Sequence, residues 1–263
     1  GLLGPTGASK TTLIKILATL LLPSSGTTTL NGFNTLTEAN KVRATVGCML
    51  MGERGLYWKL TARENLVYFG ALYHLPVKPR KQRAQEIIKL LGLEELADRA
   101  VETYSSGQKM KLAFGKALIN DAPILILDEP TTGISAEQKE VLFKSMGQLA
   151  REEGKTLVLV SHKLDEVQEL CDHAFVLRKG ELVGENTVPC DNQILIKFMF
   201  ERLPPRTARP SLVQDDTILE AQNIRVYTHR MQVEDVQLTL NAGEILGFAG
   251  MEGSGQSLAM STI

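Results

Sequence analysis

The chain has 263 residues, 43% of them apolar and 22% charged, which is the balance of a globular protein with room for one α/β domain and part of another. Its 29 basic and 30 acidic side chains give a net charge of −1, which excludes the basic excess of a dedicated nucleic-acid-binding protein. The three cysteines, Cys48, Cys171 and Cys190, match neither a disulfide framework nor a CxxC metal site. No apolar run reaches the ~18 residues of a membrane span, so a membrane role would require a partner protein.

Helical and strand patterns alternate along the first 190 residues or so, which predicts a mostly parallel sheet wrapped by helices. The apolar run 124–127 is typical of a strand buried on both faces. The predicted helices are 13–22, 61–73, 82–91, 107–119, 137–151 and 164–170. The predicted strands are 27–30, 46–50, 124–127 and 156–160, with a hairpin formed by 174–177 and 181–184.

A second region begins after residues 203–216, a stretch that contains PPRTARP and reads as an interdomain linker. Strand patterns return at 218–226, 236–240 and 244–249, and the last of them runs into GMEGSGQS. This loop repeats the spacing of the first loop of the chain, which predicts an internal repeat. The equivalent positions are Gly250, Gly253 and Ser257 in the second loop and Gly4, Gly7 and Thr11 in the first.

The first loop, GPTGASKTT, nearly matches the phosphate-binding pattern G-x-x-x-x-G-K-[ST] that joins a strand to a helix. Its glycines let backbone N–H groups surround phosphate oxygens, and Lys10 supplies a positive charge beside them. Ser9 stands where the pattern has glycine, so its Cβ would crowd the phosphate or strain the loop. The residues expected to bind the phosphates are Gly4, Pro5, Thr6, Gly7, Ala8, Ser9, Lys10, Thr11 and Thr12.

The buried strand 124–127 ends in two acids, which resembles the Walker B element of nucleotide hydrolases. Asp128 would hold Mg²⁺ together with the Thr11 hydroxyl, and Glu129 would act as general base toward the attacking water. The sequence therefore predicts ATP and Mg²⁺ as ligands.

The segment YSSGQ, residues 104–108, opens a helix between these two motifs, and a histidine follows the next strand. This order of motifs resembles the ABC ATPase family, whose signature reads LSGGQ. Ser105, Gly107 and Gln108 match the signature, whereas Tyr104 and Ser106 depart from it. The resemblance implies that this loop contacts the γ-phosphate of ATP held by an opposite nucleotide-binding domain, through a helix N-terminus and a serine hydroxyl.

The same resemblance implies that His162 senses the γ-phosphate and the attacking water. Two positions depart from the family pattern: Ser135 replaces the aspartate of the D-loop, and Met51 falls where the Q-loop glutamine is expected. Methionine cannot coordinate Mg²⁺. The second phosphate loop also departs, because Gln256 stands where lysine belongs, although Gly250, Gly253, Gly255 and Ser257 are kept.

We therefore expect an α/β P-loop domain of the ABC ATPase type over 1–202, lacking its first strand and carrying a helical subdomain around 61–105. A linker over 203–216 and the start of a second copy over 217–263 would follow. The family implies an ATPase that powers transport, bound peripherally on the cytoplasmic face of the membrane. Its partners would be a transmembrane permease and a second nucleotide-binding domain, in the same chain or in a dimer.

Two alternatives stay open at this point. The motif departures also fit a catalytically impaired regulatory domain, and a soluble ABC protein acting on ribosomes or DNA is the other possibility. The tail resembles sugar and nucleoside importers, and the front resembles drug or polysaccharide exporters, so the direction of transport stays open too.

Overall fold

Parallel strands rich in apolar residues form the centre of a six-stranded sheet in the computed structural model, which describes residues 1–50, 55–200, 215–227, 232–247 and 256–261. The chain divides into two units, Gly1–Leu203 and Pro204–Ile263. The strands of the first unit are β1 Leu2–Leu3, β2 Thr29–Leu30, β3 Phe33–Asn34, β4 Val46–Met49, β5 Ile124–Asp128, β6 Thr156–Val160, β7 His173–Arg178 and β8 Glu181–Thr187.

The main sheet has the order β4-β5-β6-β1-β7-β8, in which only β8 runs antiparallel to its neighbour. Its register aligns Asp128 of β5 and Leu2 of β1 with the same residue, Val160 of β6. The chain segments that follow these three strands therefore leave the sheet side by side at one edge. In parallel sheets ligands bind at this carboxyl edge.

Eight α-helices and two short 3-10 helices, Glu94–Leu96 and Val101–Thr103, belong to the described part of the first unit. Three of the α-helices, within residues 62–118, form the predicted helical subdomain and its connection to the sheet. A large apolar cluster, which includes Leu66, Ile87, Phe114 and Leu118, packs this subdomain against the face of the sheet. The helices are α1 Lys10–Leu17, α2 Ala39–Thr45, α3 Ala62–Leu72, α4 Val77–Leu90, α5 Ser106–Leu118, α6 Ala136–Arg151, α7 Leu164–Leu170 and α8 Asn192–Met199.

The predicted α/β architecture is confirmed, although several elements differ from their predicted bounds. Helix α1 ends at Leu17 and does not continue to Pro23, because Thr19 adopts a left-handed conformation with φ of 59°. The predicted hairpin is present, but its first strand, β7, also pairs with β1 inside the main sheet. Helices α2 and α8 and strand β3 were not predicted. The domain was also expected to lack its first strand, but a short strand, β1, is present before the loop and pairs with β6 and β7.

The second unit contains a two-stranded antiparallel sheet of β9 Thr217–Tyr227 and β10 Gln232–Asn241, followed by a short helix, α9 Gln256–Met260. The strand predicted over 244–249 was wrong in its described part, since residues 244–247 form no strand. Ile245 is 69% exposed. An apolar strand needs neighbours to pair with, and the β9–β10 pairing ends at Asn241.

No helix in the described ranges has both the length and the apolar character that a membrane span requires.

Two glycines provide a matched test of how tightly the sheet and its helices pack. A Cβ added at Gly47 in β4 would lie 2.0 Å from the carbonyl oxygen of Ala117 in α5, whereas a Cβ at Gly147 in α6 would meet no atom within 4 Å. We expect Gly47→Ala to lower the free energy of unfolding by about 1–3 kcal/mol, because backbone must move. Gly147→Ala should raise it by about 0.5–1 kcal/mol, because alanine favours the helix.

Chemical denaturation of both variants beside the wild type measures the two changes. Equal effects of the two substitutions would contradict the packing of α5 on β4.

Candidate nucleotide-binding site

The first glycine-rich loop connects β1 to α1 at the carboxyl edge of the sheet. A Cβ at Gly4 would lie 2.2 Å from the carbonyl oxygen of Leu177, so this position requires glycine. Gly7 has φ of 82°, a conformation that glycine adopts without strain, and the N–H of Ala8 closes the turn on the oxygen of Pro5 at 3.1 Å. The loop therefore follows a tight path against β7.

Lys10 is the first residue of α1, and its side chain folds back into this loop. Its ammonium group donates hydrogen bonds to the carbonyl oxygens of Gly4 at 2.6 Å and Pro5 at 3.1 Å, and the residue is only 8% exposed. Burial lowers the pKa of Lys10, and the negative charges of Glu129 and Asp128 partly offset that effect. A positive charge is thus held inside the loop, facing two acids.

Ser9 has a left-handed backbone, with φ of 68° and ψ of 18°, at the position where the phosphate-binding pattern has glycine. Of the two consequences expected from the sequence, the structure shows backbone strain, which is of order 1–2 kcal/mol for a residue other than glycine. As the N-cap of α1, Ser9 makes no side-chain cap hydrogen bond. The N–H groups of the first turn of α1 have no acceptor within the helix and can bind an anion.

Thr11 and Asp128 lie together across the edge of the sheet, where the Thr11 hydroxyl donates a hydrogen bond of 3.2 Å to Asp128 Oδ2. Asp128 is the last residue of β5 and is 2% exposed. A hydroxyl and a carboxylate are oxygen ligands, and Mg²⁺ binds through few protein oxygens while it keeps phosphate oxygens and waters. This pair fits Mg²⁺.

Glu129 and His162 come from two neighbouring strand ends and contact each other. Nδ1 of His162 lies 3.0 Å from Oε1 of Glu129, and the hydroxyl of Thr132 donates to Oε2 of Glu129 at 3.2 Å. The backbone of Glu129 is left-handed, with φ of 50°, and its N–H donates to the carbonyl of Val160 at 2.9 Å. Strained backbone of this kind clusters at active sites.

The signature residues Ser105, Gly107 and Gln108 lie at the start of α5, where Ser105 and Gln108 form a capping box. A Cβ at Gly107 would lie 1.6 Å from Oε1 of Gln138 in α6, so the signature loop packs directly on the start of the next helix. Ser135 caps that helix through the N–H of Gln138 at 3.4 Å. Serine thus performs the N-cap function that aspartate also performs, and this departure from the family pattern keeps the local structure.

Some sequence-predicted site residues lie outside the described part of the chain. Met51, Gly250, Gly253 and Gly255 belong to this group. Gln256 and Ser257 begin helix α9, but their side chains are also outside the described set.

Sequence reasoning missed Glu166, a buried carboxylate behind the Glu129–His162 pair. Burial raises the pKa of Glu166, but hydrogen bonds from Thr131, Ser161 and Lys163 outweigh burial and lower it. A signal was available in the sequence, because Glu166 adjoins Val167 on the buried face of α7 four residues after His162.

Several known proteins are similar to this chain in sequence and fold. The sequence model of the ABC transporter family matches residues 1–132. The ABC transporter ATP-binding protein NatA of Bacillus subtilis is 40% identical over 183 residues, which cover 70% of this chain and 74% of NatA. The D-allose import ATP-binding protein AlsA of Escherichia coli is 33% identical over an alignment covering 100% of this chain and 54% of AlsA.

Solved structures give the same result. A dimeric ATP-binding cassette bound to ADP and Pi in a post-hydrolysis state matches with a TM-score of 0.66 and 27% identity, over 72% of this chain and 84% of that one. The chain therefore belongs to the ABC transporter family, and its fold and family are those of an ATPase. It spans between about half and three quarters of the length of the relatives named here.

The strain at Ser9 is open to a direct test. Ser9→Gly should raise the free energy of unfolding by about 0.5–1 kcal/mol, because glycine adopts the left-handed conformation freely but loses more entropy on folding. Ser106→Gly also restores a family glycine, yet it should lower stability by up to about 0.5 kcal/mol, since Ser106 lies in helix α5.

Urea denaturation of the two variants gives the signs of the two changes. A loss of stability in Ser9→Gly would show that the left-handed backbone at Ser9 carries no strain.

Proposed function

We propose that this chain is the ATP-binding and ATP-hydrolysing subunit of an ABC transporter, and that it powers substrate movement through a partner membrane protein. One observation carries the proposal: Lys10, the Thr11–Asp128 pair and the Glu129–His162 pair come together at the carboxyl edge of one parallel sheet. These are the groups that phosphoryl transfer requires, namely a cation, oxygen ligands for a metal and a base.

The phosphates of ATP would bind in the first loop. The Lys10 ammonium, which donates to the carbonyls of Gly4 and Pro5, would exchange these contacts for phosphate oxygens, whose charge makes the stronger hydrogen bond. The N-terminus of α1 adds unpaired N–H groups and the positive end of the helix dipole.

Thr11 and Asp128 would hold Mg²⁺, which supplies charge neutralisation at the phosphate oxygens when bound. Asp128 is suited to this role because it is buried and its neighbour Lys10 keeps positive charge close to it. The Thr11 hydroxyl is already directed at that carboxylate.

Glu129 would accept a proton from the water that attacks the γ-phosphate. Its Oε1 lies 3.0 Å from Nδ1 of His162, and its Oε2 accepts a hydrogen bond from Thr132, so both carboxylate oxygens are oriented. With Nδ1 directed at Glu129, we assign Nε2 of His162 to the γ-phosphate side. The oriented pair would align base, water and phosphate, which lowers the entropic part of the barrier.

A complete site would need a second nucleotide-binding domain, because Ser105 would act on ATP held by the opposite domain. The region 217–263 would be the start of such a domain. The repeat of the glycine spacing supports this assignment, as does the alignment of the whole of this chain to 54% of AlsA. We also propose a transmembrane permease partner, because two relatives are named as ATP-binding proteins of a transporter and of an import system. A position on the cytoplasmic face of the membrane would give the site access to ATP.

The general base is tested by Glu129→Gln, which keeps the size of the side chain but removes its basicity. We expect ATP turnover to fall by about 10²–10⁴-fold, while ATP affinity stays near the wild-type value. Phosphate release measures the first quantity and equilibrium titration the second. Glu137→Gln in the exposed first turn of α6 is the matched control and should behave as wild type.

A wild type that is no faster than Glu129→Gln would overturn the enzyme assignment and favour a regulatory, hydrolysis-impaired domain.

The phosphate cradle is tested by Lys10→Met, which keeps chain length but removes the charge. ATP affinity should fall by about 10–100-fold, the equivalent of one charge-assisted hydrogen bond. Lys15→Met, at the exposed end of the same helix, serves as the control and should bind ATP normally. Calorimetric titration compares the two, and equal affinities would contradict a nucleotide site at this loop.

The transport assignment is tested by purification of the full-length protein from its own membranes. Recovery with a membrane-spanning protein supports it, whereas consistent recovery with ribosomes would overturn it in favour of a soluble role.

A further inference from the structure

Glu166 in α7 is a buried carboxylate, 1% exposed, on which three hydrogen-bond donors converge. The hydroxyl of Thr131 donates to Oε1 at 2.6 Å, and the hydroxyl of Ser161 donates to Oε2 at 2.9 Å. The ammonium of Lys163 lies 3.1 Å from Oε1. Both oxygens of one buried anion are thus used.

The three donors come from the two loops that carry the hydrolytic pair. Thr131 lies two residues after Glu129, and Ser161 and Lys163 are the immediate neighbours of His162 in the chain. The two loops are also joined directly, since the Lys163 ammonium donates to the carbonyl of Thr131 at 3.3 Å. Glu166 therefore holds the loop after β5 against the loop after β6.

The catalytic contact between Glu129 and His162 spans the same two loops, at 3.0 Å. The side chain of His162 is 49% exposed, so packing gives it limited support. Its position depends mainly on the backbone on either side, which Ser161 and Lys163 attach to Glu166. A buried, fully hydrogen-bonded group is rigid and can fix this backbone.

We propose that Glu166 is a positioning residue for ATP hydrolysis: it sets the distance between Glu129 and His162 by joining the loops that bear them. The partners of the Glu166 carboxylate are Thr131, Ser161 and Lys163, so it acts on Glu129 and His162 through these neighbours. This role of Glu166 rests on the proposed hydrolytic function. Glu166 belongs neither to the phosphate loop nor to the pair of acids at the end of β5.

The test compares Glu166→Gln with Glu169→Gln, an exposed position on the same helix, in the full chain. We expect turnover of ATP by Glu166→Gln to fall by about 10–100-fold, since a shift of about 1 Å in a reacting group has effects of this size. ATP affinity should stay within about twofold of wild type, because the phosphate loop is not changed. Ser161→Ala removes one of the three hydrogen bonds and should give a smaller loss of the same kind.

A double-mutant cycle with His162→Ala separates positioning from general stability. If Glu166 acts through His162, its substitution should have little further effect once His162 is absent. Independent, multiplicative losses would overturn the proposal. So would a loss of turnover in Glu166→Gln that follows only the folded fraction measured by circular dichroism.

The ring signals of ¹⁵N-labelled His162, measured without nucleotide, provide a readout that does not depend on activity. They should shift in Glu166→Gln and stay unchanged in Glu169→Gln, and unchanged signals in both would overturn the proposal. A wild type without ATP turnover would instead overturn the proposed function, and the ring signals would still decide whether Glu166 positions His162.

Discussion

The register of three parallel strands is the constraint on which the site depends. Asp128 and Leu2 are aligned with the same residue, Val160, so β5, β1 and β6 end at one level. The phosphate loop, the acid pair and the histidine then leave the sheet as neighbours, although they are far apart in the chain. A shift of one residue in either pairing would turn the side chains to the opposite face and separate the proposed metal ligands from the loop.

The carboxyl edge of the sheet also brings opposite charges close together. The buried ammonium of Lys10 faces Asp128 and Glu129, and these acids partly restore the pKa that burial lowers. The ammonium of Lys10 attracts a bound anion, and the carboxylates of Asp128 and Glu129 attract a divalent cation. The anion and the cation bind better together, because each ligand offsets the charge that the other brings to a poorly hydrated place. The arrangement suits a nucleotide with its metal better than either ligand alone.

Backbone strain marks the same place. Ser9 and Glu129 both have positive φ, at 68° and 50°, and each stands directly beside a residue for which we propose a role in holding the phosphates or the metal. Such conformations persist only where surrounding contacts fix them. For Glu129 the contact is the hydrogen bond from its N–H to the carbonyl of Val160, and Glu166 holds the loops that follow.

The sequence by itself determined the chemistry of the residues and their order. The glycine spacing, Lys10, and the strand that ends in Asp128 and Glu129 identified the loop and the acids, because local motifs encode backbone turns and strand ends. The α/β architecture followed from the alternation of patterns, whereas the length of α1 did not, since one left-handed residue at Thr19 ended the helix. The motif also indicated the strain at Ser9, because serine stands where the pattern has glycine.

Only the tertiary structure decided which distant residues touch. The Thr11–Asp128 and Glu129–His162 contacts depend on strand order, and β1 and β6 are neighbours although most of the first unit separates them in the chain. The hydrogen bonds of Thr131 and Ser161 to Glu166 and the packing of Gly107 on Gln138 were not predicted for the same reason. Burial and hydrogen bonding between remote segments are set by packing, and a single sequence does not record which segments pack together.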